Sequence, residues 1–189
     1  MTSDWDALSA QTSTCTRCPE LVESRVHVVP GVRPPGARLV LVGEAPGAAE
    51  DEAGLPFVGR SGQWIDAALR DAGLDRADVA VVNVLKCRPP ANRKPRRPEV
   101  ASCRPWLEQQ LALIEPTLVV ALGGSAAEWF FGPAARIGAL RGTPHEVAGR
   151  RVLVTYHPSA ALRFGPRGEP ALAIRADLLL AARLLEGAA

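Results

Sequence analysis

No stretch of this 189-residue chain is apolar for long enough to cross a membrane as a helix. Residues 1–11 carry Asp4, Trp5 and Asp6 where a secretory leader would carry an apolar core. No membrane association is expected, and a reducing cytoplasm is, with free thiols rather than disulfides. Internal repeats, low-complexity tracts and any linker long enough to divide the chain into separate domains are also missing. Residues 1–189 therefore read as a single domain, and 47% hydrophobic content suffices for a sizeable core. Histidine is rare, at His27, His145 and His157 only, and lysine is scarce beside arginine.

A formal charge of +2 hides an uneven distribution. Residues 86–97 hold Lys86, Arg88, Arg93, Lys94, Arg96 and Arg97 without one acid. Pro89, Pro90, Pro95 and Pro98 bar a regular helix there, so the cations stand on a stiff, extended surface suited to a phosphate backbone. A charge run is ordinarily a solvated loop. Beside Asn83 and Cys87, this one points to nucleic acid.

Cysteine is sparse but patterned. Cys15 and Cys18, two residues apart, can bend onto one metal centre, and the distant Cys87 and Cys103 can close it. Such a site staples the N-terminal segment to mid-chain. The spacing suits zinc and an iron-sulfur centre alike.

Apolar runs alternate with amphipathic ones. Strands are expected at residues 38–43, 79–84, 117–122 and 151–156, and helices at 61–72, 98–114, 125–131 and 171–185. The alternation predicts a three-layer α/β/α fold around a mostly parallel four-stranded sheet, with ligands beyond the carboxyl ends of the strands. Residues 43–51, Asn83, Gly123, Gly124 and His157 all follow strands and converge on that edge.

Gly43-Glu44-Ala45-Pro46-Gly47 lacks the lysine of a phosphate-binding P-loop and the spacing of a dinucleotide fingerprint. Its continuation is more specific: Ala48-Ala49-Glu50-Asp51, then Leu55-Pro56-Phe57-Val58-Gly59-Arg60-Ser61-Gly62-Gln63. With Cys15/Cys18, Asn83 before Lys86-Cys87-Arg88-Pro89-Pro90, Cys103 and Tyr156-His157-Pro158-Ser159, these motifs resemble the family 4 uracil-DNA glycosylases in order and over nearly the whole length.

The resemblance implies a uracil-DNA glycosylase-like fold and a base-excision repair hydrolase. It also implies a 4Fe-4S cluster held by Cys15, Cys18, Cys87 and Cys103, structural in purpose. The expected partner is DNA containing uracil, single-stranded or mispaired. Phe57 would stack on a flipped uracil, with Ala45 and Ser159 in the same pocket. The Asn83 amide would pair with O4 and N3–H, a pattern that cytosine reverses. His157 would donate to O2 as negative charge develops there, without needing to be an imidazolium. Glu44 and Glu50 are the carboxylates available to orient water or stabilise the sugar cation, because Ala45 stands where some relatives in the wider superfamily place a catalytic aspartate. Glu50 has a second possible task, crowding the base's C5 position against thymine. Glu50-Asp51-Glu52 also reads as an acidic surface or helix-start cluster.

Arg88, Arg93 and Lys94 are expected to hold the backbone. Residues 160–163 match the loop that relatives push into the minor groove, with Leu162 or Arg163 as the wedge. Alanines at its start make a small wedge, which favours single-stranded or mispaired substrates. No histidine occurs between Arg88 and Glu99, where a related branch becomes covalently trapped on DNA, so turnover is expected. A monomer is expected, and no convincing sliding-clamp peptide is present. Two rivals remain open: a nonenzymatic nucleic-acid-binding module and a small nucleotide hydrolase cradling anions at residues 43–47.

Overall fold

The computed structural model describes residues 3–188; Met1, Thr2 and Ala189, the ends of the expected domain, lie outside it. The strands are β1 (Leu39–Gly43), β2 (Val79–Asn83), β3 (Leu118–Leu122), β4 (His145–Val147) and β5 (Arg150–Thr155). They form one sheet in the order β2-β1-β3-β5-β4, parallel except for the antiparallel β4–β5 pair. The expected four strands are thus corrected to five. β4 is too short to show a hydrophobic period, and its two-residue turn uses Ala148 and Gly149, both at positive φ (48° and 74°). That is the mirror-image turn which matches strand twist, without the Asn-Gly pair that normally signals it.

The helices are α1 (Asp4–Ser13), α2 (Pro19–Ser24), α3 (Ala48–Ala53), α4 (Arg60–Asp71), α5 (Arg97–Ile114), α6 (Gly124–Phe131), α7 (Ile137–Leu140), α8 (Pro158–Phe164) and α9 (Glu169–Glu186). Every residue of β1, β2 and β3 is buried, so their side chains alternate between two cores rather than between core and water. Leu39, Leu41, Val79, Val81, Val120 and Leu153 meet Ile65 and Leu69 of α4 and Ile174 and Leu178 of α9 on one face. Val40, Val42, Val82, Val119 and Val154 meet Leu107 and Leu111 of α5 and Ala126 and Ala127 of α6 on the other. Truncating a buried side chain such as Ile65 to alanine costs about 2–5 kcal/mol. A third cluster joins Leu8 of α1, Leu21 of α2, Leu85, Cys87, Cys103 and Trp106.

Local rules set the ends of the elements. Gly73, at φ 75°, stops α4, and the Leu74 N–H returns to the Leu69 carbonyl at 2.9 Å. Pro98 and Pro158 sit in the first turns of α5 and α8, where their missing N–H is not needed. The free edge of β2 is covered by Val32, which exchanges two 2.9 Å backbone hydrogen bonds with Val81. The carboxyl ends of β1, β2, β3 and β5 therefore open along one edge of the sheet.

Candidate active site and cysteine centre

Gly43 and Asn83 are paired at the ends of β1 and β2. A Cβ on Gly43 would collide with Asn83 Oδ1 and lie 2.7 Å from Phe57 Cε2, so only glycine lets the ring and the amide share this corner. Phe57 itself has φ 55°, a conformation that costs an L-residue energy, and its backbone is pressed against Gly62 in the first turn of α4. Across the corner stands His157, whose ring centroid is 5.9 Å from that of Phe57. Gly123, at φ 89°, clears the space beside it: a Cβ there would lie 2.8 Å from the Cβ of His157. Asn83 is 2% exposed, and its Oδ1 is buried without a hydrogen-bond partner among the described residues. Leaving a buried acceptor unpaired costs about 1–3 kcal/mol. The amide is thus aimed at something that the protein does not itself provide.

His157 caps α8. Its Nδ1 accepts from the Ser159 N–H at 3.2 Å and lies 2.8 Å from the Ser159 hydroxyl. Some of the residue's surface is exposed, but the ring is hemmed in by protein, and burial pushes its pKa down to about 4 against the opposing charge of Glu50. The imidazole is therefore neutral at pH 7. Because a backbone N–H can only donate, Nδ1 is the acceptor, which leaves the proton on Nε2 as a donor.

The two carboxylates stand differently. Glu50 accepts from the Gly47 N–H at 3.0 Å and the Gly59 N–H at 2.8 Å, one at each oxygen, clamping the segment that carries Phe57 at both ends. Glu44 accepts from the Ser125 hydroxyl at 2.5 Å through Oε2 alone. Ala45 is half-buried against the third core cluster. Asp51 departs from an acidic surface cluster: it is 1% exposed and accepts from the N–H groups of Val26 and His27 at 3.0 to 3.2 Å, tying residues 26–27 to α3. No sequence signal marked it, since its partners are backbone groups far along the chain.

The basic segment lacks acids of its own, but the fold supplies them. Arg93 bonds Glu99 at 2.6 and 3.0 Å and Glu20 at 3.2 Å, hydrogen bonds that push its pKa further up. Lys94 pairs with Glu128 at 2.8 Å. Arg88 donates to Asn92 Oδ1 at 2.7 Å and meets no carboxylate among the described residues. Residues 160–163, expected as a loop, belong to helix α8. Ala161 is buried, Leu162 half-buried and Arg163 exposed, while Phe164 is 62% exposed at the helix end. Phe164 is the last residue of α8, seven positions after the capping His157.

Cys15, Cys18, Cys87 and Cys103 line one cavity together with Arg25, Lys86 and Trp106. All four are free thiols. Arg25 Nη1 donates to Cys87 Sγ at 3.0 Å, and Trp106 Nε1 to Cys15 Sγ at 3.3 Å. Burial pushes the Cys103 thiol up to about 11, opposed by Lys86, and raises Cys18 and Cys87, with the neighbouring cysteines adding to it. Four thiolates here need a cationic centre to hold them. Among the described residues, no three His, Cys, Asp or Glu side chains are placed to hold a single metal ion, while all four cysteines line one cavity. With N–H donors aimed at two sulfurs, this donor set fits a thiolate-held metal centre.

Fold and site together define an α/β protein that receives a flat, hydrogen-bonding ring at the carboxyl edge of its sheet. The Uracil DNA glycosylase superfamily model matches residues 30–179, and the chain belongs to that superfamily. Type-4 uracil-DNA glycosylases of Thermotoga maritima and Pyrobaculum aerophilum are each 42% identical to it, over 160 and 168 residues. These matches cover 84% and 85% of this chain and 83% and 85% of those proteins. A type-5 uracil-DNA glycosylase of Mycobacterium leprae is 34% identical over 206 residues, covering 87% of this chain and 89% of that protein.

Proposed function

We propose that this chain is a base-excision repair enzyme that turns uracil out of DNA and hydrolyses its N-glycosidic bond, leaving an abasic site. The observation that carries the reading is the buried, unpartnered Oδ1 of Asn83 beside the Phe57 ring. Uracil N3–H satisfies that oxygen while the Asn83 NH2 donates to O4; cytosine offers an acceptor and a donor in the opposite places. Phe57 stacks on the ring, and Ala45 and Ser159 complete the pocket.

As the C1′–N1 bond breaks, its electron pair passes to the base and negative charge gathers on O2, where the Nε2–H of neutral His157 donates. Positive charge develops on the sugar, and water adds at C1′. Glu44 is the better candidate to orient that water, because only one of its oxygens is engaged. The water's proton leaves through Glu44 to solvent, and the base anion recovers one at N1. Glu50, with both oxygens engaged, holds the Phe57 segment and stabilises the sugar cation through its charge.

Cys15, Cys18, Cys87 and Cys103 hold a 4Fe-4S cluster, which when bound cross-links the N-terminal helices to the basic segment. Arg88 and Arg163 contact the phosphate backbone, with Arg93 and Lys94 held beside it by their acids and Leu162 near the gap left by the base. The protein acts as a cytoplasmic monomer.

The test is alkali-developed cleavage of end-labelled DNA with one uracil, single-stranded and opposite guanine. Wild type is expected to cleave both, and Asn83→Ala and His157→Ala to lose about 10- to 100-fold or more. No cleavage by cluster-loaded wild type that still binds DNA would leave a binding module instead.

A further inference from the structure

We propose that Lys86 is a positioning residue for uracil recognition: a buried cation that takes its counter-charge from the cysteine centre and fixes the strand end carrying Asn83. This rests on the proposed uracil excision and adds a residue to it. Lys86 is 1% exposed, among the largest fully buried side chains of the described residues. Its Nζ donates to the Asn83 carbonyl at 2.7 Å and to Gln110 Oε1 at 2.5 Å. Gln110, itself wholly buried, is anchored by its NH2 to the Pro30 carbonyl at 2.6 Å.

A buried ammonium needs a counter-charge. Among the described residues the ammonium bonds only neutral oxygens and no carboxylate; the groups placed to supply counter-charge are the cysteines whose cavity Lys86 lines. Lys86 lines the cysteine cavity and directly precedes Cys87 in the chain. Its carbonyl accepts from the Val29 N–H at 2.7 Å. One residue thus borders the centre and holds the base-reading residue through its ammonium. With the Asn83 carbonyl held from behind, its side-chain amide is left facing the cleft with Oδ1 free.

Lys86→Met keeps the length and removes the charge and donors; Gln110→Leu removes one anchor of the ammonium without touching cysteines or Asn83. Both are compared with wild type in the cluster-loaded protein by iron content, calorimetric affinity for free uracil, single-turnover excision and the reduction potential of the centre. Lys86→Met is expected to lose about tenfold in uracil affinity and in excision per loaded molecule. It is also expected to shift the potential downward, since a nearby cation favours the more negative reduced state. Gln110→Leu should weaken uracil affinity less and leave the potential unchanged. Wild-type uracil affinity in loaded Lys86→Met, or an unmoved potential, would overturn the proposal. If Lys86→Met does not fold, unchanged uracil affinity in Gln110→Leu overturns it. Wild type that fails to excise uracil defeats the functional reading itself, a separate outcome.

Discussion

A neutral His157 gives the site a distinct response to pH. Burial holds its pKa near 4 in the folded protein, below the ordinary 6.5 that the unfolded chain keeps. Between those values the unfolded state binds the extra proton. The stability that this residue contributes is therefore complete above pH 6.5 and is lost as pH falls through 4. Excision by wild type should show no inflection near pH 6.5, and His157→Gln should melt with a shallower loss of Tm between pH 7 and 4.5. An excision profile that titrates at 6.5 would require an imidazolium donor. At this scale the motifs brought together Phe57, Asn83 and His157, because short segments at strand ends dictate who meets whom. They left the carboxylates unseparated, since the tasks of Glu44 and Glu50 depend on which backbone N–H groups face them. Nothing in the basic run foretold that Glu20, Glu99 and Glu128 would occupy Arg93 and Lys94.

At the level of elements, the end of β1 and the start of α4 form one mechanical unit around Phe57. Gly43→Ala keeps every hydrogen-bonding group yet drives a methyl into Asn83 and Phe57. It is expected to lower kcat/KM about 100-fold or more, the scale of a misplacement of about 1 Å, while DNA affinity by gel shift stays within about twofold. Activity close to wild type would mean that this corner opens freely. Helix α8 yields a second expectation. Phe164→Ala, more than Leu162→Ala, should reduce excision from duplex and leave single-stranded DNA unaffected, because its ring stands exposed at the end of the helix that His157 caps. Equal excision by both variants on both substrates would remove α8 as the wedge. The long strands and α4, α5, α6 and α9 were legible from hydrophobic period, each within two residues of its observed start. β4, α1, α2, α3, α7 and α8 were not, being shorter than the window in which a period shows.

For the whole molecule, the cysteine cavity makes stability depend on what fills it. Loaded protein is expected to be brown, and stripping iron with a chelator should lower Tm by several degrees, since a group bound only by the folded state stabilises it by mass action. A colourless, equally stable protein containing one zinc would remove the cluster and leave the glycosylase reading standing. The four cysteines also come from separate stretches: the segment after α1, the loop after β2, and the middle of α5. During synthesis, Cys15 and Cys18 leave the ribosome long before Cys103 exists. A centre bound by all four cysteines would therefore have to be loaded after translation has passed α5 and that helix has seated on the sheet. A chain whose centre stays empty would have an assembled sheet but N-terminal helices without that anchor, and limited proteolysis should cut it first in residues 14–36.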